Sequence, residues 1–277
     1  MKKINLFAII GLFTLSFTAC NEQGLSSDPY TKKHLIEEFT SQDCIYCPYG
    51  MDIVHEFIGD DKNWILVLHH AGFSVDNFTV SGSRIISSAL GVSGAPSMTV
   101  DRTITKTVDG NQLVFHPAYL SADFNRAQYD AKTYASLKLN NTYNASTRTV
   151  QVRISGTLNT DDHPSLYLTV LLKESGMVDY QGDYRESSRG WTEFRHTNAV
   201  RAYMSTPKGD EVMVNNNYYS AVYTLTLDEK WVPENCMVVA FLSEEFKPVV
   251  QAEQAPVVPG SKGGADILYG GITTAGK

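Results

Sequence analysis

No cluster of Lys and Arg, no phosphate-binding loop, no dinucleotide glycine fingerprint and no internal repeat occurs in this chain. Charged residues make up only 19% of its 277 positions and the formal net charge is −7. An acidic body without a basic patch argues against nucleic acid as a partner. The apolar run from Ile4 to Phe17, broken by Asn5, Thr14 and Ser16, falls short of the roughly 20 residues a spanning helix needs. Cysteine is scarce, with four in all, whereas hydrophobic residues reach 43% alongside 20 Gly and 10 Pro. That composition excludes wholesale disorder and coiled coil, and it suits one large or two ordinary domains.

The short apolar run follows Lys2 and Lys3, which reads as a secretory signal peptide over residues 1–19. It ends Leu15-Ser16-Phe17-Thr18-Ala19-Cys20, small residues before a cysteine that resemble a bacterial lipobox, with Phe17 where leucine is usual. Acylated Cys20 would then begin the mature chain and hold it on a membrane; an ordinary cleaved signal with an incidental cysteine is the alternative. Cleavage removes both lysines and takes the charge from −7 to −9. Residues 20–33 read as a polar tether.

Beyond the tether, strand-like and helix-like segments alternate: His34–Thr40, Met51–Ile58, Trp64–His69, Ser83–Leu90, Ser97–Val100 and Ser121–Tyr134. That order predicts a βαβ unit with a parallel sheet over residues 34–134. From Ala135 the period changes to two, as in Val150, Val152 and Ile154, then Leu166, Leu168, Val170 and Leu172, then Tyr223, Leu225 and Leu227. With Ala135–Tyr143, Met237–Leu242 and Val249–Ala252, at least six strands predict an antiparallel β-sandwich over 135–256. Residues 257–277, opening Pro-Gly-Ser-Lys-Gly-Gly near 259–264, predict a flexible tail with at most one short strand. Tyr180–Trp191, with two Gly and two Ser, predicts a long exposed loop whose Tyr, Arg and Trp suit binding.

Cys236 lies in an apolar run and reads as a buried core residue. Cys44 and Cys47 form a C-x-x-C pair after a predicted strand and before a predicted helix, where partial positive charge stabilises a Cys44 thiolate. Such a thiolate attacks a disulfide, and the second thiol resolves the mixed disulfide. A lone C-x-x-C also suits metal ligation, for which His69 and His70 are the obvious additional donors. Pro48 directly after Cys47 implies a helix that begins near Cys47, which weakens the dipole effect on Cys44.

The segment Glu38-Phe39-Thr40-Ser41-Gln42-Asp43-Cys44-Ile45-Tyr46-Cys47 resembles the active-site approach of thioredoxins, and Gly91-Val92-Ser93-Gly94-Ala95-Pro96-Ser97-Met98-Thr99-Val100 resembles their cis-proline stretch. The likeness implies a cis Pro96 packed on the cysteine pair, with Ala95 offering backbone hydrogen bonds to an extended substrate. Bulky Tyr46, between the cysteines, would face that substrate. Glu38 would accept the Cys47 proton; the alternative is a strand carboxylate facing solvent. One of His69 and His70 would approach the cysteines, unless both are turn residues before Ala71-Gly72.

Over residues 30–255, Phe39-Thr40, Cys44-x-x-Cys47-Pro48-x-Gly50, His70-Ala71-Gly72, the Gly-Ala-Pro stretch, His196-Thr197-Asn198-Ala199-Val200-Arg201 and Asn235-Cys236-Met237-Val238-Val239-Ala240-Phe241 resemble the outer-membrane-protein-28-related lipoproteins of Gram-negative bacteria. The resemblance implies an α/β plus all-β chain, a thioredoxin-like domain followed by a β-sandwich. His196, Asn198 and Arg201 mark either a site or a buried network bracing a loop. Three functions stay open. The first is a membrane-anchored thiol–disulfide exchange protein acting on envelope thiols or disulfides without a cofactor. The others are a binding or adhesion lipoprotein with a non-catalytic disulfide, and a copper or zinc carrier using Cys44, Cys47 and His70.

Overall fold

In a computed structural model, which describes residues 28–120, 129, 131–162, 164–185 and 191–271, the first unit follows the predicted order. It comprises β1 (His34–Thr40), α1 (Cys47–Ile58), β2 (Trp64–His70), α2 (Ser81–Leu90) and β3 (Ser97–Val100). β1 runs parallel to β2, from His34 opposite Trp64 to Thr40 opposite His70, and antiparallel to β3. α1 starts at Cys47 because Pro48 lacks an N–H and is tolerated only in a first turn. Its Met51 and Val54 pack on Ile36, Leu66, Leu68, Met98 and Val100 from one sheet face. On the opposite face, Ile86 and Leu90 of α2 pack on Phe39. Covered on both sides, β1 and β2 are buried at every residue, as the near-continuous apolar run of β2 requires.

The remaining strands are β4 (Thr105–Thr107), β5 (Gly110–Gln112), β6 (Lys138–Asn144), β7 (Thr149–Thr157), β8 (Leu166–Glu174), β9 (Met177–Gly182), β10 (Trp191–His196), β11 (Ala199–Tyr203), β12 (Asp210–Glu211), β13 (Tyr218–Thr226), β14 (Cys236–Glu244), β15 (Val249–Pro256) and β16 (Gly270–Gly271). The protein is mostly β, in several sheets. A β13-β7-β6 sheet lays Val150, Val152 and Ile154 over Leu168, Val170, Val238 and Ala240 of β8 and β14, giving the expected two antiparallel layers. The expected separation near residue 134 is corrected. One eight-stranded sheet runs β15-β14-β8-β11-β2-β1-β3, with β12 also paired to β8, and so crosses that boundary. The outer edge of buried β2 would otherwise leave backbone groups unpaired. Instead the Leu68 N–H donates to Asn198 O at 2.9 Å, and Ala199 of β11 pairs with Leu68.

Other boundaries shift for similar reasons. Residues 28–33 are not free tether: Thr31 bridges to Lys132, and Lys33 pairs with Glu253 at 2.5 Å. The expected helix Ser121–Tyr134 lies largely outside the described residues, and residues 131–134 are not helical. Tyr180–Gly182 and Trp191 belong to a β9–β10 hairpin rather than to a long loop. The tail packs through residue 271: Val257 is fully buried, and β16 pairs with β10. Its glycines permit this, since Gly263 and Gly264 adopt φ of 58° and 76° and lie close against Met237 and Ser175. The expected signal peptide and the expected lipidation site Cys20 lie outside the described residues.

Candidate functional site

The turn between β1 and α1 closes by hydrogen bonds from Cys44 N to Ser41 O and from Cys47 N to Cys44 O, and it brings the two cysteines into a disulfide with Cα atoms 5.4 Å apart. Ile45, Tyr46 and Tyr49 are exposed beside it, but Cys44 is only 5% exposed and Cys47 not at all. The β9–β10 hairpin covers that turn. Gln181 Nε2 lies 3.1 Å from each of the carbonyls of Ser41, Gln42 and Cys44. Gly182 N donates to Gln42 O, Tyr184 N donates to Ile45 O, and the Tyr46 and Tyr184 rings meet at 5.1 Å.

Beneath α1, the Ala95–Pro96 bond is cis. α1 rides directly on this proline at Gly50, where an added Cβ would fall 2.8 Å from Pro96 Cβ and 3.3 Å from Pro117 Cγ. Ala95 is partly exposed and sits against Gly72 after β2. Glu38 alternates with Ile36 on the α1 face of β1 and is completely buried, so the solvent-facing alternative is wrong. Neither carboxyl oxygen has a hydrogen-bond partner. Burial, reinforced by the charge of Asp52 on α1, pushes its pKa up to about 8. Asp52 in turn receives the Tyr269 hydroxyl and the Arg185 guanidinium.

Its neighbour Glu37 points to the other face and fares differently. Burial pushes Glu37 up as well, but Arg102, bidentate at 2.7 and 2.8 Å, and His69 at 3.2 Å hold it down at about 2. His69, also bonded to Ser83 at 2.9 Å, therefore belongs to the far side of the sheet. His70 faces the crevice. Its Nδ1 lies 2.8 Å from Asp76 Oδ2, and the same oxygen accepts the Gln42 N–H at 2.8 Å. Burial pushes Asp76 up, but these bonds hold its carboxyl below the usual range. His70 thus reaches the approach to the disulfide through Asp76 and Gln42.

His196 meets His70 ring to ring at 5.6 Å, and burial plus His70 hold it down at about 4 despite the Tyr180 carbonyl. Asn198, at φ 55°, bonds β2 and accepts from Lys173, while Arg201 stands 3.3 Å from Glu174 and over Phe78. These three residues brace the junction, the second of the two roles read from sequence. Cys236 is buried, its Sγ 3.2 Å from Val232 O, and burial pushes its thiol up. Gln181, Asp76, Asp52 and Arg185 are not legible in the sequence, because the contacts that bring them to the turn, Gln181 to Gln42, Asp76 to Gln42 and Arg185 to Asp52, join distant parts of the chain with no local motif. Among the described residues, no group of three or more His, Cys, Asp or Glu side chains could hold a metal ion.

No curated protein matches the chain. HBP35 of Porphyromonas gingivalis is similar in structure, with a TM-score of 0.67 and 20% identity over 85% of this chain and 78% of that one, a likeness that concerns the fold. A model of the outer membrane protein Omp28 family matches residues 84–260, beginning inside α2 and so beyond the disulfide. With well over half of its length matched, this chain belongs to the Omp28 outer membrane protein family.

Proposed function

We propose that the protein is a lipid-anchored envelope thiol–disulfide exchange protein whose N-terminal unit is thioredoxin-like. The observation that carries this reading is the convergence of three features at one helix start. These are the Cys44–Cys47 disulfide, the cis Pro96 under Gly50, and a buried Glu38 with no hydrogen-bond partner on the α1 face. In the reducing direction, the Cys44 thiolate attacks one sulfur of a client disulfide and the other client sulfur leaves as thiolate. Cys47 then attacks the Cys44 sulfur of the mixed disulfide, the second client thiolate leaves, and two electrons have passed from the pair to the client. A carboxylate of raised pKa at Glu38 suits acceptance of the Cys47 proton. Ala95 and Tyr46 border the face where a client would lie, and His70 orders Asp76 and through it Gln42. Acylation of Cys20 would place the protein on a membrane of the envelope, with protein thiols or disulfides as partners.

A second reading has its own support. Burial of Cys44 and the contact of Gln181 with the Ser41, Gln42 and Cys44 carbonyls suit a non-catalytic staple in a binding or adhesion lipoprotein. Expression of a Cys47→Ser variant in a Gram-negative envelope separates the two. Exchange predicts Cys44-dependent mixed disulfides with clients, absent from Cys44→Ser; a staple predicts none.

A further inference from the structure

The eight-stranded sheet opens where β11 departs from β2. Only Ala199 of β11 pairs with β2, opposite Leu68, so the Leu66 carbonyl of β2 lies beyond the reach of that strand. It accepts instead from Nζ of Lys173 on β8 at 2.8 Å, and Asn198 Oδ1 lies 2.9 Å from the same amine. Lys173 is 4% exposed, and among the described residues no carboxylate forms an ion pair with it. An ammonium has three donors, and these two neutral acceptors leave its charge uncompensated. Burial holds its pKa down to about 7.

At the same split lies a cavity of about 380 Å³, bordered by Lys173, Leu66 and Asn198. Its other walls mix apolar side chains, Ile58, Met237 and Ile267 of the packed C-terminal segment, with polar ones that include His55, Asp61 and Lys62. We propose that this cavity is a binding site for a small amphipathic carboxylate, whose head group ion-pairs with Lys173 and whose apolar body lies along Ile58, Met237 and Ile267. Lys62 of the lining is exposed to solvent, so a buried head meets the Lys173 amine, which suits a singly charged one: burying a phosphate dianion against one buried cation would leave a net buried charge. An unmatched buried cation gains a partner on binding, and the apolar wall supplies the burial energy. This site lies apart from the disulfide and does not depend on exchange chemistry.

The test is calorimetric titration of the mature protein with octanoate, with octanol and octylamine as neutral and cationic controls of the same chain length. Octanoate is expected to bind saturably at one site, and both controls to bind at least about tenfold more weakly, a difference of about 1.4 kcal/mol. Lys173→Met is expected to remove the preference for octanoate over octanol. Because that variant also loses the bond to Leu66 O, Ile267→Trp serves as the second: it adds bulk to the lining, leaves Lys173 in place, and is expected to abolish binding. Equal binding of octanoate and octanol, no octanoate binding, or undiminished binding in a folded Ile267→Trp protein would overturn the proposal.

Discussion

Two adjacent glutamates on one strand should respond to the same substitution with opposite signs. The Glu38 pKa is raised from 4.5 to about 8, so its favourable contribution is complete below pH 4.5 and is lost as pH climbs toward 8. At about 1.4 kcal/mol per unit, the carboxyl costs about 3 kcal/mol by about pH 7. Glu38→Gln removes that titration. Its buried amide adds an unsatisfied donor worth about 1–3 kcal/mol, but that penalty is the same at every pH. Glu37, held at about 2, contributes stability present above 4.5 and lost as pH falls through 2. Glu37→Gln leaves the Arg102 guanidinium buried without its counter-charge, at a cost of about 3–5 kcal/mol near neutrality. Urea unfolding of the oxidised protein between about pH 5 and pH 8 measures both. The Glu38→Gln protein should gain on wild type by about 3 kcal/mol across that range, while Glu37→Gln stays below wild type throughout. A Glu38→Gln difference that does not change with pH would refute the assignment of Glu38 as a buried, unpaired acid.

Further outcomes follow from the geometry around the disulfide. Gln181→Ala should destabilise the protein by only about 0.5–1.5 kcal/mol, because the Ser41, Gln42 and Cys44 carbonyls each keep a backbone N–H donor. It should also speed reduction of Cys44–Cys47 by a small dithiol, followed by timed alkylation; an unchanged rate would mean that the hairpin does not guard the pair. Gly50→Ala should cost about 1–3 kcal/mol in thermal or urea unfolding, because its methyl would press on the rigid Pro96 and Pro117 rings. Cys20→Ser should move the protein out of the membrane fraction or leave it uncleaved; a wild-type chain that is already soluble would contradict the anchor.

Legibility followed locality. β1, β2 and β3 stand out in the sequence because their runs and the intervening Gly and Pro are contiguous, and α1 begins at Cys47 because Pro48 dictates it. The cis peptide at Pro96 came from resemblance, not from physics of the local chain. The union of the two halves into one sheet was illegible: it hangs on a single pairing of Leu68 with Ala199 and on a lysine reaching across the gap. Glycine near 259–264 read as flexibility, yet the same freedom lets that segment fold tightly onto Met237 and Ser175. Burial of Glu38 was undecidable from a strand of two neighbouring acids, since alternation says they face apart but not what covers each. Gln181 lies far from the cysteines in sequence and only tertiary packing brings it to them.

The most direct measurement is equilibrium redox titration of the Cys44–Cys47 pair in the folded protein, with the thiols trapped by alkylation and the fold followed by circular dichroism. The account predicts reversible reduction of two electrons without unfolding, with Cys44 alkylated before Cys47. A disulfide that opens only in denaturant would contradict it and leave the pair as a staple.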